Sequence, residues 1–232
     1  MADIPFRELV QLDEELRALR EQYISAPAEK RRSAAQWAHD HAHASMLMAQ
    51  AMGAPDMVHP TWHDAAAPLA IDPNFAPAIL AVGSLEYQYG RVDEALRLFL
   101  KLTTLPPDTE DLAEIIDTAG DFLIDQDDAE RAGQLYAAAA EAYPKVALYH
   151  VGLGYCLAVA GQFEESVEQH QRAVALEPDN HVHLNDLGYT LLQAARFDEA
   201  EEVLQRAVKL APPDFPRAKA NLDHLRKLRS EP

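Results

Sequence analysis

Between His39 and His59 the chain reads HDHAHASMLMAQAMGAPDMVH, which gathers four of its ten histidines and all four internal methionines. Imidazole and thioether both ligate Cu(I), and imidazole also suits zinc. His39-Asp40-His41-Ala42-His43 has the form H-D-x-x-H, one carbon short of the H-E-x-x-H zinc motif. On a helix, His39 and His43 share a face and can hold one metal. The shortened acid is a poorer general base, and no further ligand follows at a recognised spacing, although His59 and His63 can approach through the intervening turn. Methionines at helical spacing have a second use, which is to fill a core.

Carboxylates form the other chemically distinctive group. From Asp108 to Glu130 there are ten acidic residues and no basic one. Glu114, Asp117, Asp121 and Asp125 lie three and four apart, so a helix would carry them as a single stripe. Like charges at that spacing cost a few tenths of a kcal/mol per pair, roughly the reverse of a helical ion pair. A cationic ligand would recover that loss; a solvated face of an acidic protein is the competing account. A Gly-rich phosphate loop, a Ser-His-Asp order and a Cys-His pairing are all missing from the sequence, which points to a non-catalytic protein.

The elements that must position these groups are helical. A hydrophobic fraction of 48% with only 9 Gly and 7% aromatic residues fits a folded helical chain. With 38 acidic and 20 basic side chains the net charge of −18 argues against nucleic acid or an anionic membrane as partner. The single cysteine, Cys156, excludes an internal disulfide, and the apolar run GLGYCLAV predicts a buried thiol. The opening MADIPFRELVQLDEELRALREQY is charged throughout, with no apolar run suited to a signal peptide, and no segment is long enough to cross a bilayer. A cytoplasmic setting is therefore expected.

The chain repeats itself. Residues 148–180 align without a gap on residues 182–214, an offset of 34. Gly120, Tyr136, Ala139 and Pro144 stand the same distance before Gly154, His170, Ala173 and Pro178. A further copy, with a slightly longer spacer, places Gly83, Ala95, Phe99 and Pro107 in those roles. This pattern resembles the tetratricopeptide repeat family, in which small residues let two antiparallel helices approach and a proline closes each unit. Ala95, Ala132 and Ala200 match the small position of the second helix, with Ser166 a mild departure, and Leu102 departs at the next small position. The resemblance implies an all-α, right-handed superhelical solenoid of antiparallel helix pairs with a concave surface.

The expected organisation is an N-terminal helical segment over 1–41, a degenerate repeat over 42–73 and four repeats over 74–214, followed by a capping helix over 215–232. The four repeats run at about 76–109, 113–146, 147–180 and 181–214. Leu222, Leu225 and Leu228 form the apolar side of the capping helix. Residues 5–23 read as one amphipathic helix and 28–52 as a longer one. If Pro73 closes a unit, Met48, Ala49 and Met52 take core positions there, leaving His43 and Met46 towards the groove.

In the resembled family the first helix of each pair lines the groove. In this register the groove holds Glu114, Asp117, Asp121 and Asp125, then Leu148, Val151, Tyr155 and Val159, then Asn185, Asp186, Tyr189 and Gln193. Such a surface suits a peptide with basic and hydrophobic side chains, anchored on Tyr155 and Tyr189. Family members that grip a C-terminal carboxylate use Lys, Arg and Asn, where this chain has Asp117, Asp121, Val151 and Tyr155. The expected function is a non-catalytic adaptor or chaperone-like module with a protein partner and no cofactor. Two other classes remain open: a zinc or copper protein using residues 39–63, with His39 and His43 as ligands, and a self-associating scaffold whose terminal helices pair between subunits.

Overall fold

The computed structural model describes residues 18, 21–23, 25–51 and 62–230, without the side chains of 40–51 and 62–64. Most of the helix expected over residues 5–23, and the methionine side chains of the His-Met segment, therefore lie outside the described part. Every regular element among the described residues is an α-helix: α1 (Ala28–Ala51), α2 (Trp62–Ile71), α3 (Ala76–Gln88), α4 (Val92–Leu102), α5 (Leu112–Asp125) and α6 (Ala129–Ala142). There follow α7 (Ala147–Val159), α8 (Phe163–Leu176), α9 (His181–Gln193), α10 (Phe197–Leu210) and α11 (Arg217–Ser230). The chain forms two compact units that divide after Ile115, inside α5.

In the first unit α1 packs on α2, α2 on α3 and α3 on α4. Its core includes Ala35, Ile71, Phe75 and Ala78, with Tyr23, Ala34, Ala38 and Leu69 against them. In the second unit α6 to α10 pack in sequence, each on the next, and α11 lies on α9 and α10. Neighbouring helix pairs thus share one continuous apolar seam, the arrangement of a helical solenoid. Leu187, Leu191, Ala200, Leu204, Leu222 and Leu225 form its C-terminal part. Leu222 and Leu225 are buried but Leu228, expected beside them, stands exposed at the end of α11.

The turns inside the pairs are one conformation used four times. Gly90, Asp127, Gly161 and Ala195 have φ of 80°, 61°, 76° and 56°. In each case two amides fold back onto the preceding helix, as Gly161 N–H to Ala158 O and Gln162 N–H to Leu157 O do. That bond pair ends a helix and satisfies carbonyls it would otherwise leave exposed. Glycine is suited to the left-handed residue; Ala195 accepts a strain there of roughly 1 kcal/mol. The next helix then starts at once, and α6 and α9 are capped by the side chains of Asp128 and Asn180.

The small positions work by contact. A Cβ on Gly120 would fall 2.2 Å from the Tyr136 ring, and one on Gly152 would fall 2.4 Å from its other side. Phe99 lies in the same way on Gly83, His170 on Gly154 and Leu204 on Gly188. Ser166, the departure from alanine, is buried and its hydroxyl donates to Gly154 O at 2.6 Å. Leu102 is likewise fully buried. The carbonyl of Pro73 accepts from Lys101, as that of Pro178 accepts from Arg206, both across 28 residues. Each of these carbonyls thus accepts from the second helix of the pair that follows it.

Candidate functional site

Three consecutive first helices of the second unit enclose a cavity of about 340 Å³. Asp117, Asp121 and Ile124 face it from α5, and Leu148, Val151, Gly152 and Tyr155 from α7. Asp186, Tyr189 and Thr190 approach from α9, and Tyr136 and His170 reach it from the second helices α6 and α8. The register alone identified Asp117, Asp121, Leu148, Val151, Tyr155, Asp186 and Tyr189, and the structure brings these together. Tyr155 and Tyr189 are 48% and 45% exposed, so each offers about half of its surface to a partner.

The other register positions lie elsewhere. Glu114, Asp125, Val159 and Gln193 are exposed but do not border the cavity. Asn185 is only 5% exposed: it accepts from Asn221 of α11 at 2.9 Å and donates to Asp186 Oδ1 at 3.2 Å. The position that opens onto the cavity as Asp117 and Val151 is covered in the last repeat by the capping helix.

Ile124, Tyr136, Gly152, His170 and Thr190 were not anticipated. For Tyr136 and His170 the signal was in the repeat column itself. Phe99 and Leu204 are apolar where Tyr136 and His170 are polar, and a polar group at a core position needs a partner. Tyr136 has one, donating its hydroxyl to Asp117 Oδ1 at 2.9 Å. His170 does not: it is 3% exposed and its Nδ1 has no hydrogen-bond partner. The residue 34 positions after Asp117 is Val151, whose side chain can neither donate nor accept a hydrogen bond.

Burial sets the electrostatics. It raises the carboxyl groups of Asp117 and Asp186 above the usual range. For Asp117 the Tyr136 hydroxyl opposes that rise and Asp121 adds to it. For Asp186 the opposing groups are Asn185, His183 and Arg217. Burial, with His183 nearby, pushes His170 down to about 4, so its ring is neutral at pH 7. The Cys156 thiol is buried as expected, and burial pushes it up to about 11, far from a nucleophile's range.

The metal reading over residues 39–63 falls mostly outside the described side chains. His39 packs its ring edge-on to Phe75 with centroids 5.7 Å apart, while the side chains of His43, His59 and His63 fall outside the described residues. Among the described residues no group of three His, Cys, Asp or Glu is placed to hold a metal ion. A larger cleft of about 830 Å³ lies in the first unit, where Glu29, Asp72, Glu110 and Asp111 stand against Arg31 and Arg32. No helix among the described residues is long and apolar enough to cross a membrane.

Two models described as tetratricopeptide repeat match the chain, over residues 118–181 and 160–222. A comparison with curated proteins gives no match. Among solved structures, MamA 41-end from Desulfovibrio magneticus RS-1 is 18% identical, with a TM-score of 0.49, 75% of this chain and 94% of that one being covered. A MamA RS-1 double mutant gives 0.50 with the same identity and coverage. The Yersinia enterocolitica type III secretion chaperone SycD, in complex with a peptide of the translocator YopD, is 18% identical with a TM-score of 0.48, covering 54% of this chain and 100% of that one. Such identities speak to the fold alone. With the helix pairs, their small positions and the two matched models in agreement, residues 118–222 are built of tetratricopeptide repeats.

Proposed function

We propose that the protein is a non-catalytic interaction module, an adaptor or chaperone-like protein, that binds a peptide segment with basic and hydrophobic side chains along the first-helix surface of its second unit. The observation that carries this reading is the cavity between α5, α7 and α9, where half-exposed Tyr155 and Tyr189 flank carboxylates raised by burial. Half-buried tyrosines serve as anchors because they contribute large area at small conformational cost. Asp117 and Asp121 lie on a helix with no basic residue of its own, so the positive charge that would complement them has to come from elsewhere. Leu148 and Val151 supply the apolar wall between the two charged helices.

A peptide-display selection against the purified protein tests it. Recovered sequences should combine Lys or Arg with aliphatic or aromatic residues, and their binding should weaken with salt and on Asp117→Asn with Asp121→Asn. Selection of peptides without basic residues, or binding untouched by both groove variants, would remove the acidic cavity from the account.

A further inference from the structure

We propose that the cavity between α5, α7 and α9 is a subsite for a single cationic group on an alkyl stem, an ammonium or guanidinium. The inference deepens the groove reading and rests on it for the peptide as source. At about 340 Å³ the space lies at the lower end of small-molecule sites, too small for a helix and suited to one long side chain or a short polyamine.

Its walls are sorted by chemistry. Asp117 and Asp121 offer acceptors from α5, and the charge of Asp121 raises the affinity of Asp117 for a positive neighbour. Asp186 faces them from α9, but His183 and Arg217 already act on it, which leaves the α5 pair as the stronger attractor. Ile124, Leu148 and Val151 present carbon to a methylene stem, and the ring faces of Tyr155 and Tyr189 attract a cation at the mouth.

The floor supplies the independent sign of a ligand. His170 borders the cavity while almost fully buried, and its Nδ1 lacks a partner. Tyr136, at the same place one repeat earlier, spends its hydroxyl on Asp117. With Val151 offering neither donor nor acceptor, the ring nitrogen of His170 is left for a group that enters from the cavity it borders. A neutral imidazole accepts from an N–H donor, which a cation carries and a carboxylate does not. Three carboxylates exclude an anion, and their arrangement does not form a metal-binding group.

The test is isothermal titration of the intact protein at low salt with Nα-acetyl-lysine N-methylamide, its norleucine counterpart, which keeps the four-carbon stem without the charged nitrogen, and spermidine. The lysine probe should bind and the norleucine probe should not. Asp117→Asn, which keeps an acceptor for Tyr136, should weaken binding roughly fivefold, and Tyr155→Ala, at an exposed position, should act in the same direction. The His170 ring proton resonances should shift on binding in the parent protein. Spermidine binding far more tightly than the lysine probe would make a free polyamine the occupant; the reverse order assigns the site to a peptide side chain. Equal binding of the lysine and norleucine probes, or amine binding that ignores both variants, overturns the subsite. If that happens while displayed peptides still select the groove, the interaction module stands without it; amine binding with no selected peptide has the opposite meaning.

Discussion

The second and third repeats place a ring in the same spot and treat it differently. Tyr136 lies between Gly120 and Gly152 with its hydroxyl on Asp117, a polar group that is both buried and satisfied. His170 lies on Gly154 with Val151 where the aspartate would be, a polar group buried without that support. One framework therefore tolerates two solutions at one position, and the difference marks where the molecule gives up stability beside its groove. Polar atoms without partners in a native interior cost about 1–3 kcal/mol, which makes such a site an unusual place to keep a histidine.

The largest effect should come from crowding the tyrosine. Gly152→Ala sets a methyl 2.4 Å from a ring already held on its other face by Gly120, so a loss of about 3 kcal/mol or more is expected in denaturant unfolding. Gly154→Ala meets the smaller His170 ring at 2.7 Å and should cost less. Equal losses would show that the two rings are packed alike.

Next in size is the response to acid. His170 has a depressed folded value of about 4 against an ordinary 6.5, so the stability tied to its neutral form is complete above 6.5 and falls away as pH drops towards 4. The loss should approach 3 kcal/mol, and His170→Leu, the residue type at this place in the last repeat, should flatten the melting temperature over that window relative to the parent. Parallel curves for the two proteins would mean that His170 is not the group that titrates. Pairing Val151→Asp with His170→Tyr rebuilds the second repeat's solution in the third and should restore acid tolerance as well.

A smaller effect follows from Tyr136→Phe, which removes the donor to Asp117 while keeping the ring. Unfolding free energy should fall by about 1.5 kcal/mol, since the acceptor is a carboxylate. The smallest expected effect is a gain: Ala195→Gly relieves the left-handed turn that Gly90 and Gly161 already make with glycine, and should raise stability by up to about 1 kcal/mol. A loss instead would show that the Ala195 methyl contributes contacts of its own.

Much of this architecture was legible before any coordinates. The 34-residue offset located helix pairs, closing prolines and the glycines on which the rings lie, because these are requirements of local geometry repeated along the chain. The offset also carried the acidic and aromatic first-helix residues into one cavity. It failed at Asn185, since a register assigns the same face to every repeat and takes no account of the helix that covers the last one. It also passed over Tyr136 and His170, because a rule that first helices line the groove hides second-helix rings long enough to reach it. The telling contrast was within the column Phe99, Tyr136, His170 and Leu204, where polarity changes although each side chain lies on the glycine of its own repeat.

Cys156 lends the comparison a built-in clock. It sits beside Tyr155 in α7 as the chain's single thiol, buried and pushed up to about 11. An alkylating reagent at neutral pH therefore finds almost no thiolate until the third repeat opens. The labelling rate reads how often that repeat breathes, without any introduced probe. Because a ligand seated against Tyr155 should slow that opening, the same thiol can time occupancy of the groove from behind.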